Sequence, residues 1–334
     1  MIDKLISYFS FLARKNLTLW KRLGIAIATC LFTISCANAP IQPLRVSCTL
    51  WLGYEPLLLA RDLGYYDNYP IQILETSDHA TSIKRFINGD IEMGTMTLDV
   101  TLENAAIQDQ IRAFLVMDVS DGADALIAQP NLDTLNDLKG KRIGIMPATL
   151  GKLVLTRALE AAGLTEEDIT LVTLDFSQHE AAFNAQEVDA IITYDPVLSK
   201  LQAEGANILF DSAQMPGEII DLLVGREELV NSHKQQLAAL LEGWFKALDY
   251  IETNTSDAVI RIAEREGMTP EQVVRGLAQL HYPDLAENVA ILSKSDRDTV
   301  NGMKKLAQFL EANHILETVV DPVQLLDSRP LEAI

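Results

Sequence analysis

The chain of 334 residues carries 47 Asp and Glu against 27 Lys and Arg, a formal charge of −20, and 48% of it is hydrophobic. An acidic surplus of that size repels nucleic acid and anionic membrane, so partners that need a basic face are excluded. The length suffices for two lobes, each with its own core.

The first forty residues read as an address label. Lys21 and Arg22 precede an uncharged apolar run from Leu23 to Ile34, which meets Ser35 and Cys36, then Ala37, Asn38, Ala39 and Pro40. A small residue before a cysteine in that setting resembles the cleavage box of bacterial lipoproteins, with residues 1–36 as signal peptide and Cys36 as the lipidated residue. The label holds Lys4, Arg14, Lys15, Lys21 and Arg22 against Asp3, so its removal leaves a still more acidic chain. Cys30 lies inside the label and Cys36 would carry lipid. Cys48 then has no partner for an internal disulfide.

From Leu44 short β-rich runs alternate with helical ones, which predicts an α/β fold around mostly parallel sheet. Residues 44–50 read as strand, 56–64 as helix, 71–75 as strand, 80–89 as helix and 90–96 as strand. The same grammar then restarts, with strand over 141–146, helix over 149–163, strand over 168–175, helix over 178–186 and strand over 187–193. Laid side by side, Ile91 and Glu92 fall on Val188 and Asp189. The strands after them run toward polar loops, Thr95 to Asp99 and Thr193 to Pro196. This predicts two similar lobes with a cleft between them. After about residue 225 the pattern is helical, with one long amphipathic helix over 227–252 and others near 255–267, 270–280 and 296–313. These helices are expected to pack on the first lobe. Lobe one then comprises 44–127 and 222–334, and lobe two 128–221.

In open α/β sheets ligands sit beyond the carboxyl ends of strands. Trp51, Gly53, Tyr54 and Glu55 lie there, just before a helix that Pro56 would start. Gly53 would let backbone approach a ligand, and Trp51 and Tyr54 either wall a site or cap the core. Thr149 is the matching N-cap in the second half, able to leave helix N–H groups for an anion or simply to cap them. Asp99, Asp118, Asp121, Asp124 and Asp195 follow strands, and no arginine occupies those loops. Surface solvation accounts for any one of them; together with Glu55 they lean toward a ligand that carries an amine or is neutral and polar. His79 and His179 open similarly placed helices and could face each other. There is no GxSxG, HExxH, CxxC, phosphate loop or GxGxxG, so no catalytic residue, metal or cofactor is assigned.

The segments "WLGYEPLLLARDLGYYD", "NGDIEMGTMTLDV", "LKGKRIGIMPATLGKLVLTRALEAAGL" and "VDAIITYDPVLSKL" resemble the nitrate/taurine/sulfonate-type substrate-binding proteins of ABC importers, a group whose relatives also bind thiamine-pyrimidine precursors. The resemblance implies a type II periplasmic-binding-protein fold, two α/β lobes with a central cleft and a helical C-terminal segment packed on lobe one. It implies ligand-binding residues at Trp51, Gly53, Tyr54, Thr95, Thr97, Asp99, Ser120, Asp124, Thr149, Tyr194 and Asp195. It also implies a monomeric periplasmic receptor, not an enzyme, whose partners are a small-molecule ligand, an ABC permease in the inner membrane and, through lipid, the membrane itself. The chain departs from relatives that often have Gly-Ser at Ala148-Thr149 and aromatic-Glu-Pro at Tyr194-Asp195-Pro196. The absence of a loop arginine weakens the sulfonate and nitrate readings. Two other classes stay open: an enzyme on the same fold, as in relatives that make pyrimidine, and a sensory domain that reports to a membrane partner.

Overall fold

The computed structural model describes residues 42–76, 78–316, 318 and 320–334. The expected signal peptide and Cys36 lie outside them. The compact unit Leu44–Ile334 contains two mixed sheets. Among the described residues no helix is long and apolar enough to cross a membrane.

The first sheet has the order β11-β4-β10-β3-β1-β2, from β1 (Leu44–Cys48), β2 (Ile71–Glu75), β3 (Met93–Thr97), β4 (Ile111–Ser120), β10 (Ile220–Arg226) and β11 (Leu280–His281). The second has the order β7-β6-β8-β5-β9, from β5 (Ala125–Ala128), β6 (Arg142–Ile145), β7 (Thr170–Thr173), β8 (Ala190–Thr193) and β9 (Asn207–Asp211). In each sheet three strands are parallel, β2-β1-β3 and β7-β6-β8. Beside each trio lies an antiparallel strand, β10 or β5, that has just crossed from the other sheet. The sheets are therefore mixed, because a crossing strand enters from the opposite direction.

The repeat seen in the sequence has a shared ion pair at its centre. Arg45 on β1 donates from its backbone N to Glu92 Oε2 at 2.8 Å and from Nη2 to Oε1 at 2.6 Å. Arg142 on β6 donates from its backbone N to Asp189 Oδ2 at 2.9 Å and from Nη2 to Oδ1 at 3.0 Å. Each acid stands one residue before the third strand of its trio, so both pairs tie the start of a first strand to the start of a third.

The helices are α1 (Glu55–Asp62), α2 (His79–Ile87), α3 (Leu98–Ala105), α4 (Thr149–Ala162), α5 (His179–Asn184), α6 (Val197–Ala203), α7 (Leu229–Ser232), α8 (Lys234–Thr253), α9 (Thr255–Glu266), α10 (Pro270–Leu277), α11 (Leu285–Leu292) and α12 (Arg297–Ala312). Several expectations change. The long helix over 227–252 breaks at His233, whose φ of −128° and ψ of 30° leave the helical basin. The loop expected at Thr95–Asp99 is strand to Thr97 and helix from Leu98. A lobe boundary at 127/128 would put β5 with the first lobe, yet β5 pairs with β8 and β9 in the second sheet, so the chain crosses between Ser120 and Ala125. The return falls between Asp211 and Ile220, since β10 already belongs to the first sheet.

The two crossings are knotted together. Gly122 N donates to Ser212 Oγ at 2.7 Å, Ser120 Oγ lies 2.7 Å from the same oxygen, and Ser212 N donates to Asp124 O at 2.9 Å. Gly122 has φ +107°, a conformation side chains disfavour.

The C-terminal helices bury α1. Leu57, Leu58 and Leu59 are inaccessible, and Trp244 on α8 is buried in the same core. Glu55 is fully buried too; Arg265 on α9 donates from Nε to both its oxygens at 3.1 Å and from Nη1 to Asp62 Oδ2 at 2.6 Å. Burial pushes the Glu55 carboxyl well up, opposed by the Arg265 charge. Removing the cation strands a buried acid, so Arg265→Met is expected to cost about 3 kcal/mol, with part of the loss recovered in Arg265→Met/Glu55→Gln. Urea unfolding of the two variants and the parent checks this.

Candidate functional site

A cavity of about 300 Å³ lies between the two sheets, a size that suits a small organic molecule. The first sheet's side supplies Trp51, Tyr54, His79, Met96, Thr97, Asp99 and Asp221, and the second sheet's side supplies Met146, Ala148, Leu150 and Tyr194, with Asp124 on the crossing.

Its floor is built on Asp221 of β10. In register it stands between Thr97 of β3 and Asp118 of β4. Tyr54 Oη donates to Asp221 Oδ1 at 2.8 Å and Trp51 Nε1 to Oδ2 at 3.0 Å. Those donors sit on the short 3₁₀ turn Leu52–Tyr54 and the residue before it, so the turn after β1 is fixed by a side chain 167 residues away. Burial raises Asp221 to about 7 despite the two donors. Burial, then the Asp221 charge, pushes Asp118 well up, and its buried Oδ2 has no hydrogen-bond partner.

Two further carboxylates face the space. Asp99 is in the first turn of α3, where the helix dipole favours an acid, and burial raises it. Asp124 accepts from Ser120 Oγ at 2.7 Å, and burial raises it to about 6. One turn beyond Asp99, Glu103 accepts from Thr149 Oγ1 at 3.0 Å, which joins α3 to the first residue of α4.

The walls are aromatic. Tyr194 stacks on Phe176 with ring centroids 4.3 Å apart and planes 7° apart. Trp51 meets Tyr194 edge-on at 5.6 Å, so an aromatic residue from each side touches across the cavity. His79 lies 3.2 Å through Nδ1 from Thr49 Oγ1, and burial lowers its pKa, which keeps it neutral near pH 7.

Of the residues expected to bind ligand, Trp51, Tyr54, Thr97, Asp99, Asp124 and Tyr194 come together here. The others are placed elsewhere. Gly53 is not in the cavity lining; a Cβ there would meet the Asp118 carboxylate and the Trp51 indole. Thr95 is buried inside β3, and Ser120 supports Asp124 from behind. Thr149 is the first helical residue and not the cap, which is Ala148. Asp195 accepts from Ser199 N at 2.8 Å at the start of α6, and its other oxygen faces Gly276 on α10. Glu55 is held by Arg265, away from the cavity lining. His179 is buried behind Phe176 with Nδ1 3.1 Å from Thr193 Oγ1, so it does not face His79 across the cavity. Among the described residues no group of three or more His, Cys, Asp or Glu could hold a metal ion.

Asp221 was missed in the sequence, although an acid inside the apolar run "EIIDLLVG" is the kind of buried charge that demands partners. Ile83, Val100, Met146, Leu150 and Ile219 were not singled out because apolar walls carry no distinctive spacing.

Over residues 52–258 the chain matches the family described as NMT1/THI5 like. It is 25% identical over 141 residues to a binding protein of Brucella abortus, a match spanning 41% of this chain and only 44% of that protein. It is 21% identical over 217 residues to the taurine-binding periplasmic protein of Escherichia coli, spanning 64% and 67%. Among solved structures, the periplasmic aliphatic sulphonate binding protein SsuA from Escherichia coli superposes with TM-score 0.72 at 18% identity, covering 86% of this chain and 92% of that one. The desulfurization enzyme DSZB superposes with TM-score 0.68 at 17% identity, covering 87% and 98%. These superpositions show the periplasmic-binding-protein fold that the sequence resemblance implied. The family match takes in more than half of the 334 residues, including Trp51's neighbours in the 3₁₀ turn, all of the second sheet and Asp221, and the chain belongs to the NMT1/THI5-like family.

Proposed function

We propose that this protein is an extracytoplasmic solute-binding protein of an ABC importer. It captures a small polar organic solute containing nitrogen or sulfur between two lobes built on the two sheets, and the closed form is what the permease recognises. The observation that carries this reading is the cavity itself, walled from both sheets and bridged by the Trp51–Tyr194 contact and the Thr149–Glu103 hydrogen bond. The taurine-binding and sulphonate-binding relatives support the transport role. The likeness to a desulfurization enzyme bears on a catalytic reading, but among the described residues no Cys or Ser lines the cavity, and Cys48 is buried with its thiol pushed up to about 12. A lipid on Cys36 would hold the receptor at the membrane surface, facing the periplasm, as a monomer.

Thermal unfolding against taurine, alkanesulfonates, nitrate, bicarbonate, polyamines, amides and pyrimidines tests capture. A ligand at a hundred times its Kd stabilises by about 2.7 kcal/mol, which raises the midpoint by several degrees; a flat response to the whole panel would count against the reading.

The bridging hydrogen bond gives a separate test. Thr149→Val is expected to remove about 1 kcal/mol from the closed state, seen as an approximately fivefold weaker Kd with a nearly unchanged unfolding midpoint of the free protein. For the anchor, Cys36→Ser is expected to move the protein from the membrane fraction to the soluble fraction of the periplasm. An unchanged distribution would rule out lipid at that residue.

A further inference from the structure

The charge of the cavity points away from the ligands of the sulfonate-binding relatives. Among the described residues three carboxylates line it, Asp99, Asp124 and Asp221, while no Lys or Arg does. His79, the one basic lining residue among those described, is held neutral near pH 7 by burial. Burial is the main cause that raises Asp124 and Asp221, and the charges of Asp99 on the first and of Asp124 on the second add to it. Asp118, behind Asp221, continues this row of acids, and its buried oxygen has no partner.

The positive start of a helix is the usual substitute for a cationic side chain. At α3 it already carries Asp99, and at α4 the Thr149 hydroxyl is bonded to the Glu103 carboxylate while no acid stands in the first turn. A sulfonate entering here would meet Asp99, Asp124 and Asp221 with no lysine or arginine beside them among the described residues. A positive group would relieve it, and the faces of Trp51, Tyr54 and Tyr194 attract cations through their ring quadrupoles.

We propose that the cavity takes a small organic cation, a single ammonium or amidinium group on a compact or flat carbon frame, with its charged nitrogen against Asp99 and Asp124 and its frame alongside Trp51 and Tyr194. This rests on the solute-binding reading and names the class of solute.

The sign of the pH dependence follows. In the free protein burial raises Asp124 to about 6 and Asp221 to about 7, in surroundings that include Asp99, Asp118, His79, Tyr54, Tyr194 and Tyr282. A carboxyl whose folded pKa is raised stabilises the fold when protonated, and that contribution is lost as pH rises through 6 to 7. A bound cation favours the ionised acids, so its affinity strengthens over the same interval and binding releases protons. An anion would show the reverse.

The experiment is titration of the full-length chain with benzamidine, phenethylamine and butylamine, and in parallel with taurine, ethanesulfonate, nitrate and propionamide. Tryptophan emission and calorimetric heat are read near pH 8 and near pH 5. At least one amine or amidine is expected to bind with micromolar Kd near pH 8 and about tenfold more weakly near pH 5. Asp99→Asn and Asp124→Asn are each expected to weaken it about tenfold, with unfolding midpoints showing that both variants fold. Tighter binding of a sulfonate, nitrate or the neutral amide than of every cation overturns the proposal and leaves the receptor reading standing, as does a cation whose Kd is the same in both Asn variants. A response to none of the probes overturns the proposal together with the receptor reading.

Discussion

The site depends on how one buried carboxylate is satisfied. Asp221 sits in the middle of a six-stranded sheet, where an unpaired charge would be prohibitive, and its two oxygens are taken by Trp51 and Tyr54. That arrangement fixes the turn after β1, which sets the start of α1 and the position of the Trp51 indole. Gly53 completes it, because any side chain there would displace Asp118 or the indole. The opening of the first helix, the cavity floor and one aromatic wall are therefore consequences of the same interaction.

The fold achieves a two-sided cavity by using one plan twice. Each sheet has a parallel trio whose first and third strands are tied by an Arg–acid pair, and each accepts a strand from the other beside that trio. The exchange of strands makes the crossings part of the sheets instead of loose linkers. It also places Asp124 and Asp221, one just before and one within a crossing strand, at the cavity between the sheets.

Much of this plan was legible in the sequence because it is written locally. The two runs of alternating strand and helix, and the alignment of Glu92 with Asp189, led to the repeat. Trp51, Tyr54 and Tyr194 stood out as aromatics at strand ends, and Asp99 and Asp124 as acids after strands. Residues whose role is set at long range were not legible. Glu55 looked like a carboxylate for a ligand because its partner, Arg265, lies 210 residues away. Asp195 looks equivalent, but its oxygen accepts from Ser199 N in the first turn of α6, and Asp221 is hidden in an apolar strand whose neighbours in space, Trp51 and Tyr54, belong to the other end of the chain. The break at His233 and the early start of α3 at Leu98 are one-residue decisions of backbone geometry that apolar periodicity does not resolve.

The knot of hydrogen bonds around Ser212 bears on movement. Two separate connections between bodies would allow each to twist and slide independently, and the bodies could shear as well as swing. Here the connections are bonded to each other at Ser120, Gly122 and Asp124, at the point where they leave one sheet for the other. They form a single hydrogen-bonded pin. In the proposed receptor, relative motion would then be restricted to rotation about that pin, and Trp51 and Tyr194 would part and meet along one arc.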